Sequence, residues 1–291
     1  MLLTELALVA DTNQVTCPQL NQVAAALQKQ AIRDFRPLWR VTATVDGFER
    51  LEDVPVGYWP IIVRDDIDMP GAAGVHLDQN GQPFALVQYS DSWSLTASHE
   101  MLEMLVDPWG NRLVAGQSQK PDQGRVEFLV EIADPSEDAQ FGYTVNGLLV
   151  SDFLTPHFYD PVAVAGVRYS FGGHIPGPRQ IVQGGYISWH DPVSDHWWQQ
   201  TWFGGPAPTF RDLGKLTARA GSLRSAIDAR TDTARRIAQS GPRSERFAEV
   251  TAFRPRVKES AAARAVGWRD QIEALKSGQL TEASWEGGEE G

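Results

Sequence analysis

Between Ser98 and Pro108 the chain sets one histidine and three acids among five apolar residues: Ser98-His99-Glu100-Met101-Leu102-Glu103-Met104-Leu105-Val106-Asp107-Pro108. On a helix, positions four apart advance by roughly 40°, so His99, Glu103 and Asp107 share one face. Met101, Leu102, Met104, Leu105 and Val106 take up the rest of the circumference, and a helix apolar on most sides is a buried one. A buried carboxylate costs on the order of several kcal/mol unless it is paired or binds a metal. Whatever this chain folds into must therefore bring positive charge to that helix, whose expected span is 95–106, ending before Pro108.

An imidazole and a carboxylate one turn apart form a chelate of the kind zinc accepts, which makes His99 and Glu103 candidate ligands. Glu100, beside the first ligand, is placed to take a proton from a water polarised by the metal. About 30 residues further on, Glu131-Ile132-Ala133-Asp134-Pro135 sets two more acids in an apolar segment at the end of an expected strand. Either Glu131 or Asp134 is a candidate third ligand, and Asp107 is expected to cap the helix end or support a ligand. In Thr155-Pro156-His157-Phe158-Tyr159-Asp160-Pro161, His157 and Tyr159 are candidate donors to a tetrahedral oxyanion. His190-Asp191 and Asp195-His196 read as polar turn residues of a hairpin rather than a second metal site.

The segment resembles the zincin metallopeptidase signature H-E-x-x-H, with Glu103 where the second histidine normally stands. His-Glu-x-x-Glu with Asp-Pro after it and Glu-Ile-x-Asp downstream is similar to a divergent zincin-like group. That group includes uncharacterised bacterial and phage proteins and the plant exordium-like proteins. The resemblance covers roughly residues 20–200 and implies zinc at His99, Glu103 and one of Glu131 or Asp134, with Glu100 as general base. It also implies hydrolysis of a protein or peptide substrate. More carboxylate than imidazole weakens zinc selectivity, which leaves manganese or calcium as alternatives. The rival expectation is a catalytically silent zincin scaffold, metal-stabilised, serving in a phage particle or bacterial assembly.

The remaining pattern predicts an α+β fold: a mixed sheet with an N-terminal helix and the active-site helix, plus a helical C-terminal arm. Thr16-Cys17-Pro18-Gln19 has a capping-box arrangement, and Leu20, Val23, Ala24, Leu27, Ala31 and Phe35 follow at helical spacing. This predicts a helix over 17–35, stopped by Pro37. Strands are expected at 6–9, 38–45, 58–63, 75–77, 84–89, 126–132, 148–153 and 180–189, with another over 196–203. Asn80-Gly81 marks a hairpin turn.

Charge divides the chain. Residues 1–210 hold 11 Lys+Arg against 25 Asp+Glu, residues 211–276 hold 15 against 8, and the last fifteen carry four glutamates and no base. With the linker-like Gly204-Gly205-Pro206-Ala207-Pro208, this predicts a metal-binding domain over 1–208, a basic helical arm over 209–280 and an acidic disordered tail over 281–291. The arm's arginines lack interleaved stacking aromatics, so a protein partner or the acidic body is expected to meet them rather than nucleic acid. One cysteine excludes a disulfide scaffold, and no apolar run approaches the ~20 residues of a membrane span. The absence of a basic leader leads to the expectation of a cytoplasmic protein, with a virion as the other setting.

Overall fold

In the computed structural model, which describes residues 3–69, 71–203, 205–216 and 221–231, the chain begins with strand β1 (Leu3–Asp11) and turns at Thr16 into helix α1 (Cys17–Lys29). The capping box forms as the sequence predicts. The Gln19 carboxamide oxygen accepts from the Thr16 backbone N–H at 2.9 Å and from its hydroxyl at 2.8 Å. Pro37 does not stop the helix. Residues Gln30–Phe35 widen into a π-helical turn, and α2 (Arg36–Trp39) continues through Pro37 until Arg40 closes it at φ 60°. Pro37 sits in the first turn of a renewed helical segment, where its missing N–H has no partner to lose.

Strands β2 (Thr42–Phe48), β3 (Trp59–Arg64), β4 (Gly74–Gln79) and β5 (Gln82–Gln88) join β1 in a sheet of order β2-β1-β3-β5-β4. The first four run parallel, and β4 lies antiparallel to β5 at the edge. The β4–β5 hairpin turns at Asn80 and Gly81, with φ of 54° and 81°, the left-handed pair that a two-residue hairpin needs. Alternation sends Leu6, Leu8, Ile61, Val63, Ala85 and Val87 into one core with α1 and with α3 (Trp93–Val106).

Beyond α3 come β6 (Leu113–Gln117), β7 (Arg125–Leu129), a small hairpin of β8 (Tyr143–Val145) and β9 (Leu148–Val150), then β10 (Tyr186–Asp191), β11 (His196–Thr201) and β12 (Thr209–Gly214). The second sheet is antiparallel in the order β12-β11-β10-β7-β6, and Val126, Phe128, Ile187 and Trp189 join it to the same core. The fold is mixed α+β. The boundary expected at 208 needs correction, because Thr209 pairs with Thr201 and Gln200 with Phe210 across it. The proline- and glycine-rich stretch is a hairpin connection, chemically indistinguishable from a linker. Helix α4 (Leu223–Thr231) then packs Ile227 against Leu129, Trp197 and Leu213. Two compact units divide the chain, one of Met1–Val54 with Tyr58–Arg243, the other of Pro55–Gly57 with Ser244–Gly291. Every strand and helix named above belongs to the first. The expected arm beyond 231 and the tail at 281–291 lie outside the described residues. Among the described residues no helix is long and apolar enough to cross a membrane.

The π turn has a direct bearing on α3. It carries Gln30, fully buried, whose side chain donates to the Ser151 carbonyl at 3.0 Å and accepts from the Ser98 hydroxyl at 2.7 Å. Ser98 in turn accepts from the Ser151 backbone N–H at 2.9 Å, so the residue just before His99 is tied to two other segments. Gln30→Leu leaves a buried hydroxyl and a buried carbonyl unsatisfied. It is expected to lower unfolding free energy by about 2–3 kcal/mol in urea titration, whereas a loss below roughly 0.5 kcal/mol would show that the network does not hold α3.

Candidate metal centre

Helix α3 is buried around most of its circumference, with Ala97, Met101, Leu102, Met104 and Leu105 in the core and Glu103 at 0% exposure. Its end is closed by Asp107, whose carboxylate accepts from the backbone N–H groups of Asn111 at 3.0 Å and Arg112 at 2.7 Å. These amides belong to the turn beyond the helix, so the carboxylate orders that turn, while the Asp107 backbone N–H donates to the Glu103 carbonyl at 2.7 Å. His99 Nε2 lies 3.4 Å from Glu103 Oε1 and 3.2 Å from Asp134 Oδ1. Asp134 opens a short 3-10 turn (Asp134–Ser136) after β7, and Ala133 donates its backbone N–H to Glu103 Oε1 at 3.1 Å, locking that turn to the helix. The four residues named from sequence as ligands, His99, Glu103, Glu131 and Asp134, thus converge, and Glu131 and Asp134 both reach the cluster.

Three further residues, His76, Glu137 and Tyr186, carry no expectation from the sequence, and Arg224 carries only that of its basic segment, to meet a protein partner or the acidic body. His76, from the middle of edge strand β4, points its Nδ1 at Glu100 Oε2 and Glu103 Oε2, 3.5 Å from each. Gly74 permits this approach, since a Cβ there would stand 2.6 Å from Glu100 Oε1 and from Thr96 Cγ2. Glu137 completes a group with His99 and Asp134. Arg224, from α4, directs Nη1 at Glu131 Oε2, at Asp134 Oδ2 (3.1 Å) and at Glu103 Oε2 (3.6 Å), while Nη2 donates to the Tyr186 hydroxyl at 2.9 Å. A histidine within an apolar edge strand is the one sequence signal for His76. Arg224 resembles every other arginine of its basic segment.

His157 does not reach this cluster. It is exposed and pairs through Nδ1 with Asp160 at 2.7 Å, because its turn faces outward. Among the described residues the Tyr159 hydroxyl is buried without a hydrogen-bond partner, and burial together with the negative field of Glu131 raises its pKa. His190 bridges Glu127 and Asp195, and His196 pairs with Asp212, as surface ion pairs of the β10–β11 hairpin and its neighbours.

The electrostatics reflect the crowding of buried charges. Burial disfavours a charged imidazole, yet Glu100 and Glu103 hold His76 well above its ordinary range, and Glu103 and Asp134 do the same for His99. Burial works to raise Glu103, but His99, His76 and Arg224 outweigh it and hold that carboxylate well below the usual range. Burial pushes Glu131 well up against the pull of Arg224, and burial with the Glu103 charge raises Asp134. Glu137 is pushed up to about 8 by burial and the neighbouring Asp134 charge. Among the described residues Glu103 Oε2, Glu131 Oε1, Asp134 Oδ1 and His76 Nε2 are buried with no hydrogen-bond partner. The three carboxylate oxygens among them are acceptors, which suit a cation.

Comparison with protein-family models, with curated proteins and with solved structures gives no match. The zincin resemblance therefore rests on the residues themselves.

Stability should fall as pH rises across the neutral range. The two histidines have folded pKa values above 6.5, so the stability they contribute is present below that value and lost as pH rises through the folded ones. Glu137, at 4.5 unfolded and about 8 folded, binds a proton in the folded state that the unfolded chain has released, and this has the same sign. The metal-free protein is expected to lose roughly 3–6 °C of Tm between about pH 5 and pH 8, and Glu137→Gln to lose less. Calorimetry across that range checks both, and a Tm that rises would contradict the assignment.

Proposed function

We propose that this cluster is a divalent-metal centre and that the protein is a metal-dependent hydrolase of zincin-like layout acting on peptide bonds. The observation that carries the metal is the spacing of the donors. His99 Nε2 stands 3.4 Å from Glu103 Oε1 and 3.2 Å from Asp134 Oδ1. Zinc ligands bonded at roughly 2.0–2.1 Å stand about 3.3 Å apart at the corners of a tetrahedron. A mixed sheet whose antiparallel edge strand lies against the helix bearing His99 supports the zincin-like layout, as do the H-E-x-x-E spacing and the downstream acids.

His99, Glu103 and Asp134 would hold the metal, with Glu131 beside Asp134 as a further oxygen donor. Zinc is the expected ion, and manganese or calcium the alternatives that so many carboxylates allow. Bound there, the ion would polarise a substrate carbonyl and acidify a water. Glu100 is then the general base. Its carboxylate is 5% exposed and lies 3.5 Å from His76 Nδ1, which fixes where its oxygens sit. Tyr159 supplies an unengaged hydroxyl for a developing oxyanion.

The Arg224 ion pairs favour a second reading, in which a guanidinium takes the structural place of a metal and the scaffold is catalytically silent. Elemental mass spectrometry separates the two. The hydrolase reading expects about one zinc per chain, lost in His99→Ala/Glu103→Ala. Glu100→Gln should keep the metal and lose roughly 10²–10⁴-fold in hydrolysis of a denatured protein substrate. Full hydrolysis by Glu100→Gln would remove the mechanism.

A further inference from the structure

Arg224 stands where a cation for Glu103, Glu131 and Asp134 would stand. Those three side chains each bring an oxygen to within 4.8 Å of the others, and all three are buried. The Nη1 atom of Arg224 is the positive centre they face, and the guanidinium is fully engaged elsewhere too, with Nη2 on Tyr186 and Nε on Asp228 at 3.1 Å. A nitrogen among three carboxylates and an ion bonded to them at roughly 2 Å need the same volume, and each repels the other's charge.

The arginine is delivered by a docked segment rather than by the framework around the acids. The backbone N–H of Arg224 donates to the Gly110 carbonyl at 3.0 Å and that of Leu223 to the Asn111 side chain at 2.8 Å. Gly110 has φ 59°, and a Cβ there would stand 2.9 Å from both Arg224 Cβ and Ser222 Oγ, so the seat is shaped for this segment. Ile227 is the apolar anchor, and Arg211 closes the helix end by donating to the carbonyls of Arg230 and Thr231.

We propose that α4 is a latch on the metal centre: docking of Arg224 and binding of a divalent ion at Glu103, Glu131 and Asp134 are mutually exclusive, so that uptake of the ion releases residues 221–231. This rests on the metal reading above, with which it shares Glu103 and Asp134 as ligands, and adds how occupancy of those acids is regulated. The acids keep a positive charge in either state, which is why the same side chains serve both.

The test is zinc titration of the full chain by calorimetry, with hydrogen exchange of residues 221–231 measured with and without the ion. Arg224→Gln removes the competing charge. Ile227→Asp undocks the helix while leaving every acid and histidine of the cluster in place. Both are expected to bind zinc at least tenfold more tightly than the unaltered protein. In the unaltered protein, saturating zinc should speed amide exchange over 223–231 by tenfold or more, a readout that does not depend on either variant folding well. Equal affinity in all three proteins, or zinc bound at full stoichiometry with exchange over 223–231 unchanged, overturns the latch while leaving the metal centre standing. Zinc binding to none of the three removes the metal centre, and the latch with it.

Discussion

The structure depends on how charge is balanced around Glu103. Glu100, Glu103, Glu131, Asp134 and Glu137 gather around one helix, and against these five acids the described residues set His76, His99 and Arg224. In a dry interior each uncompensated carboxylate costs several times what a surface ion pair returns. The elements that carry the cations are therefore constrained as tightly as those that carry the acids. Edge strand β4 must lie against α3, the turn after β7 must reach His99, and α4 must seat over both. The second sheet helps to make this possible, since Trp189 and Phe128 join the common core while Tyr186, at the start of β10, meets the guanidinium.

The position of α3 is set by polar chemistry as well as by packing. A straight helix through 17–35 would repeat its side chains every 3.6 residues, whereas the π turn adds a residue and reorients the side chains beyond it. The turn carries Gln30 into the interior, where it serves Ser98 and Ser151 together, and Asp34 accepts from the Tyr143 hydroxyl at 2.9 Å. Methyl contacts alone tolerate sliding by a fraction of an ångström. Hydrogen bonds between buried groups do not, and they sit one residue from His99.

Those parts of the site that are local in sequence are legible in it. His99, Glu103 and Asp107 are related by helical spacing, and Glu131 and Asp134 stand out as acids in an apolar segment, so their conjunction can be argued from residue order alone. The capping box at Thr16 and the Asn80-Gly81 turn are likewise decided within a few residues. The parts that escape such reading depend on long-range register. His76 faces Glu103 only because Gly74 lets β4 approach the helix, and no periodicity in 74–79 reports that. The boundary at 208 fails because glycine and proline suit a hairpin connection as well as a linker. With β12 assigned to an arm, Arg224 can only be read as one basic residue of a charged surface. The widening at Gln30 leaves no trace in the apolar spacing, which continues through Ala31 and Phe35.

Gly110, Arg224 and the acids bear on how such a chain can drift in sequence. A guanidinium that neutralises a buried acidic group ties two segments about ninety residues apart into a single charge count. Loss of the arginine alone leaves repelling carboxylates, and loss of Glu131 or Asp134 alone takes a buried charge from the partners that balance the guanidinium. Neither change is neutral by itself, whereas the pair can disappear together. In descendants of this sequence, the fate of Arg224 should therefore be inherited jointly with that of Glu131 or Asp134. The small seat at Gly110 should relax only in lineages where the arginine has gone.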